Sequence, residues 1–256
     1  MMKNPIFWLL FLVFSFSGYA ASGKRSAPPP NSSSRPNTTD EFASGQKVND
    51  PFIRFNRTIF AFNDTLNTYA LRPIAHGYAK IVPRPVRNGI TNAFDNAQFP
   101  VRFVNCVLQG KLKRSAQETG KFVVNSVAGF GGLMRVSDHI TGLANVPAED
   151  FGLTLGVWGI PAGPYLVVPL LGPSGCRDMV GFAGDYVIYP LNWHPVGIIR
   201  HAFVSDTITG ALSGTRTVNG LPKSVQDYDQ MKAAAVDPYV AMRDAYISYR
   251  AARVKK

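Results

Sequence analysis

The sequence predicts a mainly α protein with one folded domain over 49–250, and three observations predict it. Apolar residues recur at spacings of three and four from residue 52 onward. Little of the chain alternates with a period of two, which disfavours a sheet protein. Glycine and proline also recur among apolar residues through 129–175, so the helices are joined by breaker-rich connections that are too apolar for ordinary water-facing loops. No internal repeat is present, and about 200 residues suit a single domain.

The N-terminal 1–21 reads as a secretory signal peptide: Lys3 gives a positive start, 6–14 is an unbroken apolar run, and Gly18-Tyr19-Ala20-Ala21 supplies small residues for cleavage after Ala20 or Ala21. An uncleaved anchor is the alternative, although the run is broken by Ser15, Ser17 and Gly18 before it reaches the roughly 20 residues a spanning helix needs. The first cysteine is Cys106, so no residue near the cut can carry an N-terminal lipid, and anchoring without one is expected. The stretch 22–48 holds Pro28-Pro29-Pro30 and Asn31-Ser32-Ser33-Ser34 with few apolar side chains. It cannot bury enough surface to offset its chain entropy and reads as a disordered linker.

Helical pattern starts at Asp50-Pro51, an N-cap followed by a first-turn proline. Phe52, Phe55, Ile59, Phe62, Leu66 and Tyr69 form one apolar stripe, with an end expected near Arg72-Pro73, while Phe60 lies off the stripe. Further helices are expected over 85–94, 100–108 and 115–127, with Asn88-Gly89, Gln109-Gly110 and Gly120 as weak points. A last helix opens at Asp237-Pro238 and runs through Tyr239, Met242, Ala245, Tyr246 and Tyr249 into a basic tail, 251–256. Between these, Gly129-Phe130-Gly131-Gly132 and 155–165 cannot continue a helix. Such backbone survives at membrane depth only where it packs on protein or lines a cavity, and a Gly-rich core connection in a soluble protein is the other reading.

The formal net charge of +11, lowered by one when Lys3 leaves with the leader, favours anionic partners. For an exported chain these are lipid or lipopolysaccharide phosphates more readily than nucleic acid. Cys106 and Cys176 could form one bridge or stay as two buried free thiols, and no nearby His pair suggests a metal. Catalysis and a cofactor are disfavoured. Gly172-Pro173-Ser174-Gly175 lacks nucleophile-elbow spacing, Asp138-His139 has no nucleophile partner, and Gly129-Phe130-Gly131-Gly132 is not a dinucleotide loop.

The segments 49–60 (NDPFIRFNRTIF), Phe62-Asn63, Leu71-Arg72-Pro73, Pro85-Val86-Arg87-Asn88-Gly89, Leu108-Gln109-Gly110, Phe122-Val123-Val124-Asn125-Ser126, Gly131-Gly132, Asp150-Phe151-Gly152, Thr154-Leu155-Gly156, Gly163-Pro164-Tyr165, Pro169, Arg177-Asp178, Asp237-Pro238-Tyr239 and Arg243-Asp244-Ala245-Tyr246 occur in this order. In that joint order the chain resembles the MlaA/VacJ family of outer-membrane phospholipid-transport proteins. The resemblance implies a ring-like helical domain embedded in one leaflet of the outer membrane, on its periplasmic face. It implies an amphipathic channel that removes mislocalised phospholipid from the outer leaflet and passes it to a soluble periplasmic carrier, with a trimeric porin as a further partner. A structural envelope protein that binds lipid or porin without transport is the alternative. Many family members are lipoproteins, so the missing cysteine is a departure. Phe55, Asn56, Phe62 and Asn63 match the N-terminal helix motif, and either pack, with the asparagines bonded to neighbouring backbone, or line the channel. Gly129, Gly131 and Gly132 form a hinge before 133–143 or a tight turn, with positive φ expected at Gly131 or Gly132. Lys111, Lys113 and Arg114 are a solvated cluster or contact headgroups. Arg177 and Asp178 are expected to make structural polar contacts.

Overall fold

The computed structural model describes residues 50–144, 146–190 and 206–255, and the expected signal peptide and linker lie outside them. The first helix, α1 (Ile53–Leu66), starts later than the Asp50-Pro51 pattern suggested, and no side chain caps it. Asp50 is engaged elsewhere: its carboxylate accepts from the Asn56 side chain at 2.9 Å and from the Tyr239 hydroxyl.

Arg72-Pro73 does not end the helix. A π turn, Asn67–Leu71, carries the chain into α2 (Arg72–Ile81), with the Arg72 amide donating to the Asn67 carbonyl five residues back. The wider turn puts Pro73 in a fresh first turn, where its missing N–H and fixed φ cost little.

Next come α3 (Arg84–Ala97) and α4 (Phe99–Leu108), each opened by a first-turn proline, then α5 (Leu112–Val127). Asn88-Gly89 and Gly120 sit inside helices, whereas Gly110, at φ +71, ends one. A 3-10 turn, Val136–His139, precedes α6 (Phe151–Val157), which Asp150 caps through the Leu153 amide at 2.8 Å.

The breaker-rich middle then makes an antiparallel hairpin, β1 (Tyr165–Val168) and β2 (Gly172–Gly175), with Tyr165 opposite Gly175 and Val168 opposite Gly172. The sequence reading named neither this hairpin nor the next two helices, α7 (Cys176–Ile188) and α8 (Asp206–Ala234). In α7, Gly181 and Gly184 hide the pattern but serve packing. A Cβ on Gly181 would stand 2.3 Å from the Gly152 nitrogen, so α6 and α7 touch backbone to backbone. Helix α8 holds Pro222 in its interior. The last helix, α9 (Pro238–Val254), is capped by Asp237, which accepts from the amides of Tyr239 and Val240.

The apolar stripe of α1 is not its core face. Phe52, Phe55, Phe62 and Tyr69 are exposed, Tyr69 at 80%, while Asn56 and Asn67 are buried. From the stripe Ile59 packs inward, and beside it the off-stripe Phe60 lies edge-on to Tyr239 at 5.8 Å. The same inversion runs along α5, where Leu112, Val123 and Val127 are exposed and Ser115, Glu118 and Asn125 are buried. In α7, Val180 and Val187 are exposed and Asp178 and Asp185 buried.

Two small apolar clusters remain inside. One joins Ala75, Leu221 and Val225; the other joins Tyr165, Val167 and Tyr239 beneath Ile59, Phe60 and Met242. No helix among the described residues is long and apolar enough to cross a membrane.

Candidate functional site

Two asparagines of α1 grip the hairpin. Asn56 donates to the Tyr165 carbonyl at 3.0 Å and accepts from the Val167 amide at 2.9 Å. Asn63 repeats the arrangement one step along, donating to Val168 at 3.0 Å and accepting from the Leu170 amide at 2.8 Å. Seven residues of helix rise about 10.5 Å, which sets Asn56 beside the strand at 165–167 and Asn63 beside the turn that follows it, where Leu170 has φ +67. The Asn56 side chain stands where a third strand would, satisfying backbone groups of Tyr165 and Val167 that would otherwise form an open edge. Val167 turns its amide to Asn56, away from β2, so Pro173 opposite it loses no ladder bond.

Phe55 and Phe62, one residue before each asparagine, lie roughly 100° round the helix, exposed. The structure thus separates the four motif residues into a bonded amide pair and an exposed aromatic pair.

The buried interior carries charge. Glu118, fully buried, meets Arg102 at 2.6 Å and Lys121 at 3.3 Å. Glu149, also fully buried, draws in Lys111 at 3.2 Å, Arg253 at 3.3 Å and Arg114. Lys111 and Arg114 therefore neutralise a buried carboxylate, and Lys113 between them is exposed. A third group knits α9 to α6 and α7: Arg250 pairs with Asp150 at 2.6 Å and with Asp178 at 2.5 Å, the Tyr246 hydroxyl donates to Asp178, and Arg177 lies 3.3 Å from Asp178. Beside it, the donors to Asp185 among the described residues are neutral, the Asn105 amide at 2.9 Å and the Phe151 backbone N–H at 3.0 Å. Burial first, and the charge of Asp150 second, push its carboxyl up to about 8, against those bonds and the field of Arg250.

Behind α5, the turn 129–134 follows from sterics. A Cβ at Gly129 would lie 2.2 Å from the Met134 carbonyl oxygen. Gly131 and Gly132 have φ +70 and +93, and Phe130 between the glycines also takes a positive φ of 52 with its ring exposed. Gly131 and Gly132 donate to the Ser126 and Asn125 carbonyls, and Asn92 donates to the Leu133 carbonyl, so the segment is tied to α3 and α5. Cys106 and Cys176 are free thiols, the first buried and the second exposed, and burial pushes the Cys106 thiol up to about 11. No group of three or more His, Cys, Asp or Glu among the described residues could hold a metal ion.

Sequence reasoning missed Glu118, Glu149 and Asp185. For Glu118 and Asp185 the signal was phase: Glu118 and Asn125 on α5, and Asp178 and Asp185 on α7, recur seven residues apart, as Asn56 and Asn63 do on α1, whereas Glu149 lies outside any helix and carries no such signal. A polar residue repeating every two turns beside an apolar stripe marks a polar inner face.

A family model described as MlaA lipoprotein matches residues 48–253. The chain is 32% identical over 210 residues to the intermembrane phospholipid transport system lipoprotein MlaA of Escherichia coli (strain K12), an alignment covering 78% of this chain and 76% of that one. The protein of the same name from Haemophilus influenzae is 29% identical over 204 residues, covering 77% of this chain and 76% of its own length. A solved structure concerned with the structural basis for maintenance of bacterial outer membrane lipid asymmetry matches at a TM-score of 0.67 and 30% identity, over 81% of this chain and 100% of that one. With the match running through the amide pair, the hairpin and the charged interior alike, the chain belongs to the MlaA lipoprotein family.

Proposed function

We propose that this chain transports phospholipid to maintain outer-membrane lipid asymmetry, taking mislocalised lipid from the outer leaflet through a polar-lined path in a ring of helices and delivering it to a soluble periplasmic carrier. The observation that carries the reading is the inverted burial. Among the described residues, eighteen buried side chains are polar or charged and ten are hydrophobic, while Phe55, Phe62, Tyr69, Val127 and Trp158 stand exposed. In water such an arrangement wastes the hydrophobic effect. Against acyl chains it places apolar surface outside and headgroup-compatible chemistry within. The names of the relatives support the same assignment, an intermembrane phospholipid transport system.

Several finer roles belong to this proposal. The exposed aromatics Phe55 and Phe62 meet acyl chains. Lys113 contacts headgroup phosphate, while Lys111 and Arg114 hold the carboxylate behind it. Gly129, Gly131 and Gly132 shape the turn about which 133–143 shifts. The outer membrane is the site of action, with a trimeric porin as neighbour.

The test compares cells lacking the protein, cells carrying it, and cells carrying Lys113→Glu at matched abundance, with outer-leaflet phospholipid as the readout, alongside lipid transfer from vesicles by purified protein. Loss of the protein is expected to raise surface phospholipid, and Lys113→Glu to do so in part. Unchanged surface phospholipid on deletion, with no transfer in vitro, would leave a structural lipid-binding or porin-binding role instead.

A further inference from the structure

We propose that Asn63 is a positioning residue for lipid passage: its amide is a releasable latch on the tip of the β1–β2 hairpin, and its release frees residues 168–171 while the root of the hairpin stays anchored. The inference rests on the transport reading above.

The two asparagine grips are chemically alike but stand in different surroundings. Asn56 is fully buried, and the strand residues it holds, Tyr165 and Val167, have their side chains in an apolar cluster with Tyr239. Asn63 is only half-buried, and beyond it the chain turns through the exposed residues Pro169 and Leu170. Nothing in the two apolar clusters includes a residue of the tip.

The tip is also held in an unfavourable backbone conformation. Leu170 has φ +67, a region that a side chain with a Cβ enters at a cost. Its amide is the group that Asn63 Oδ1 accepts, so the latch bond and the strained conformation stand or fall together. The tip is further held by the pairing of Val168 with Gly172 at the end of the ladder and by the turn bond from the Leu171 amide to the Val168 carbonyl at 3.2 Å, the same carbonyl that receives the Asn63 amide. Opening the latch removes two side-chain bonds, relieves one strained residue and moves the exposed Pro169 and Leu170 between the half-buried Val168 and Leu171, whereas opening the root would expose the buried Tyr165 and Val167. The tip can open without the root, and an apolar loop that swings beside the polar face of α1 is suited to admit or block an acyl chain.

The experiment follows single-residue amide hydrogen exchange at Leu170 and Val167 in the membrane-embedded protein, together with surface phospholipid in cells. Asn63→Leu is expected to raise Leu170 exchange at least ~10-fold with Val167 unchanged, and to alter surface phospholipid. Asn63→Asp, which keeps the acceptor for the Leu170 amide, should retain most of the protection. Exchange that rises equally at both amides, or at neither, overturns the latch. So does separate opening of the tip while surface phospholipid stays at the wild-type level, and the transport reading then survives if deletion of the protein still raises it. A deletion that leaves surface phospholipid unchanged sinks the transport reading and this role with it.

Discussion

Replacing Asp185 with asparagine should make the protein more stable, relative to wild type, as the pH rises, and the size of the effect can be worked from the carboxyl's surroundings. Asp185 is 4% exposed and bonded to the Asn105 amide and the Phe151 N–H, and none of its hydrogen bonds or ion pairs among the described residues is to a cation. Its carboxyl moves from an ordinary 3.8 to about 8 on folding, so the folded state holds a proton that the unfolded chain would release. The folded state is therefore favoured most below pH 4, loses stability as pH rises through the window from about 4 to about 8, and bears the whole penalty above it. At pH 7 the gap of about three pH units corresponds to roughly 4 kcal/mol, an upper bound because local opening or water entry would relieve part of it. The amide introduced by Asp185→Asn would keep the oxygen that accepts from Asn105 and Phe151 and would not titrate. Its extra N–H must be accommodated, so the absolute offset between the two proteins is set by local fit. The pH slope of the difference is set by the proton. Denaturant unfolding of both proteins in the same detergent at pH 5, 6, 7 and 8 should show Asp185→Asn gaining about 1 kcal/mol relative to wild type per pH unit, flattening near pH 8. A difference that stays constant across that range would show that Asp185 is ionised in the folded protein, and the account of its burial would be wrong.

Glu149→Ala should destabilise by about 3–5 kcal/mol in the same unfolding assay, because it strands Lys111, Arg114 and Arg253 around an empty site; a loss below about 1 kcal/mol would mean that these cations relax into solvent. Gly131→Val should cost roughly 1–3 kcal/mol from its positive φ alone, since its Cβ would meet nothing within 4 Å. Gly132→Val should cost more, because its Cβ would also lie 2.6 Å from Asn96, whose amide donates to Ser126. The reverse order, read from unfolding midpoints, would show that strain and not crowding sets the tolerance of this turn.

The helices legible in the sequence were those whose apolar residues keep a 3.6-residue period strongly enough to outweigh an interior glycine such as Gly120, and 100–108 and 115–127 match α4 and α5 closely. What the period could not say is which side of the stripe is inside. A hydrophobic stripe marks the face that leaves water, and in a protein with a water-filled surround that face is the core. On α1 the stripe was read correctly as a face, yet Phe55, Phe62 and Tyr69 are exposed and the asparagines turn in. Helices α7 and α8 escaped notice because glycine and proline, read locally, signal loops. Gly181 is needed where two backbones meet, a fact about a distant segment that local propensity does not contain.

The same asymmetry governs the site. Asn56 and Asn63 could be singled out within one segment through its resemblance to the family's N-terminal helix motif, because asparagine on an apolar helix needs a neighbouring backbone group to bond its amide. Their partner could not, since residues 165–170 lie more than 100 positions away and the hairpin there contains only a short run of strand-forming residues. Two amides about 10.5 Å apart along a helix reach two different stretches of backbone, here the edge of β1 at Tyr165 and Val167 and the turn at Val168 and Leu170. Each amide needs backbone whose N–H and C=O are not already bonded within a helix, and the chain supplies it from the stretch where glycine and proline prevent a helix from forming.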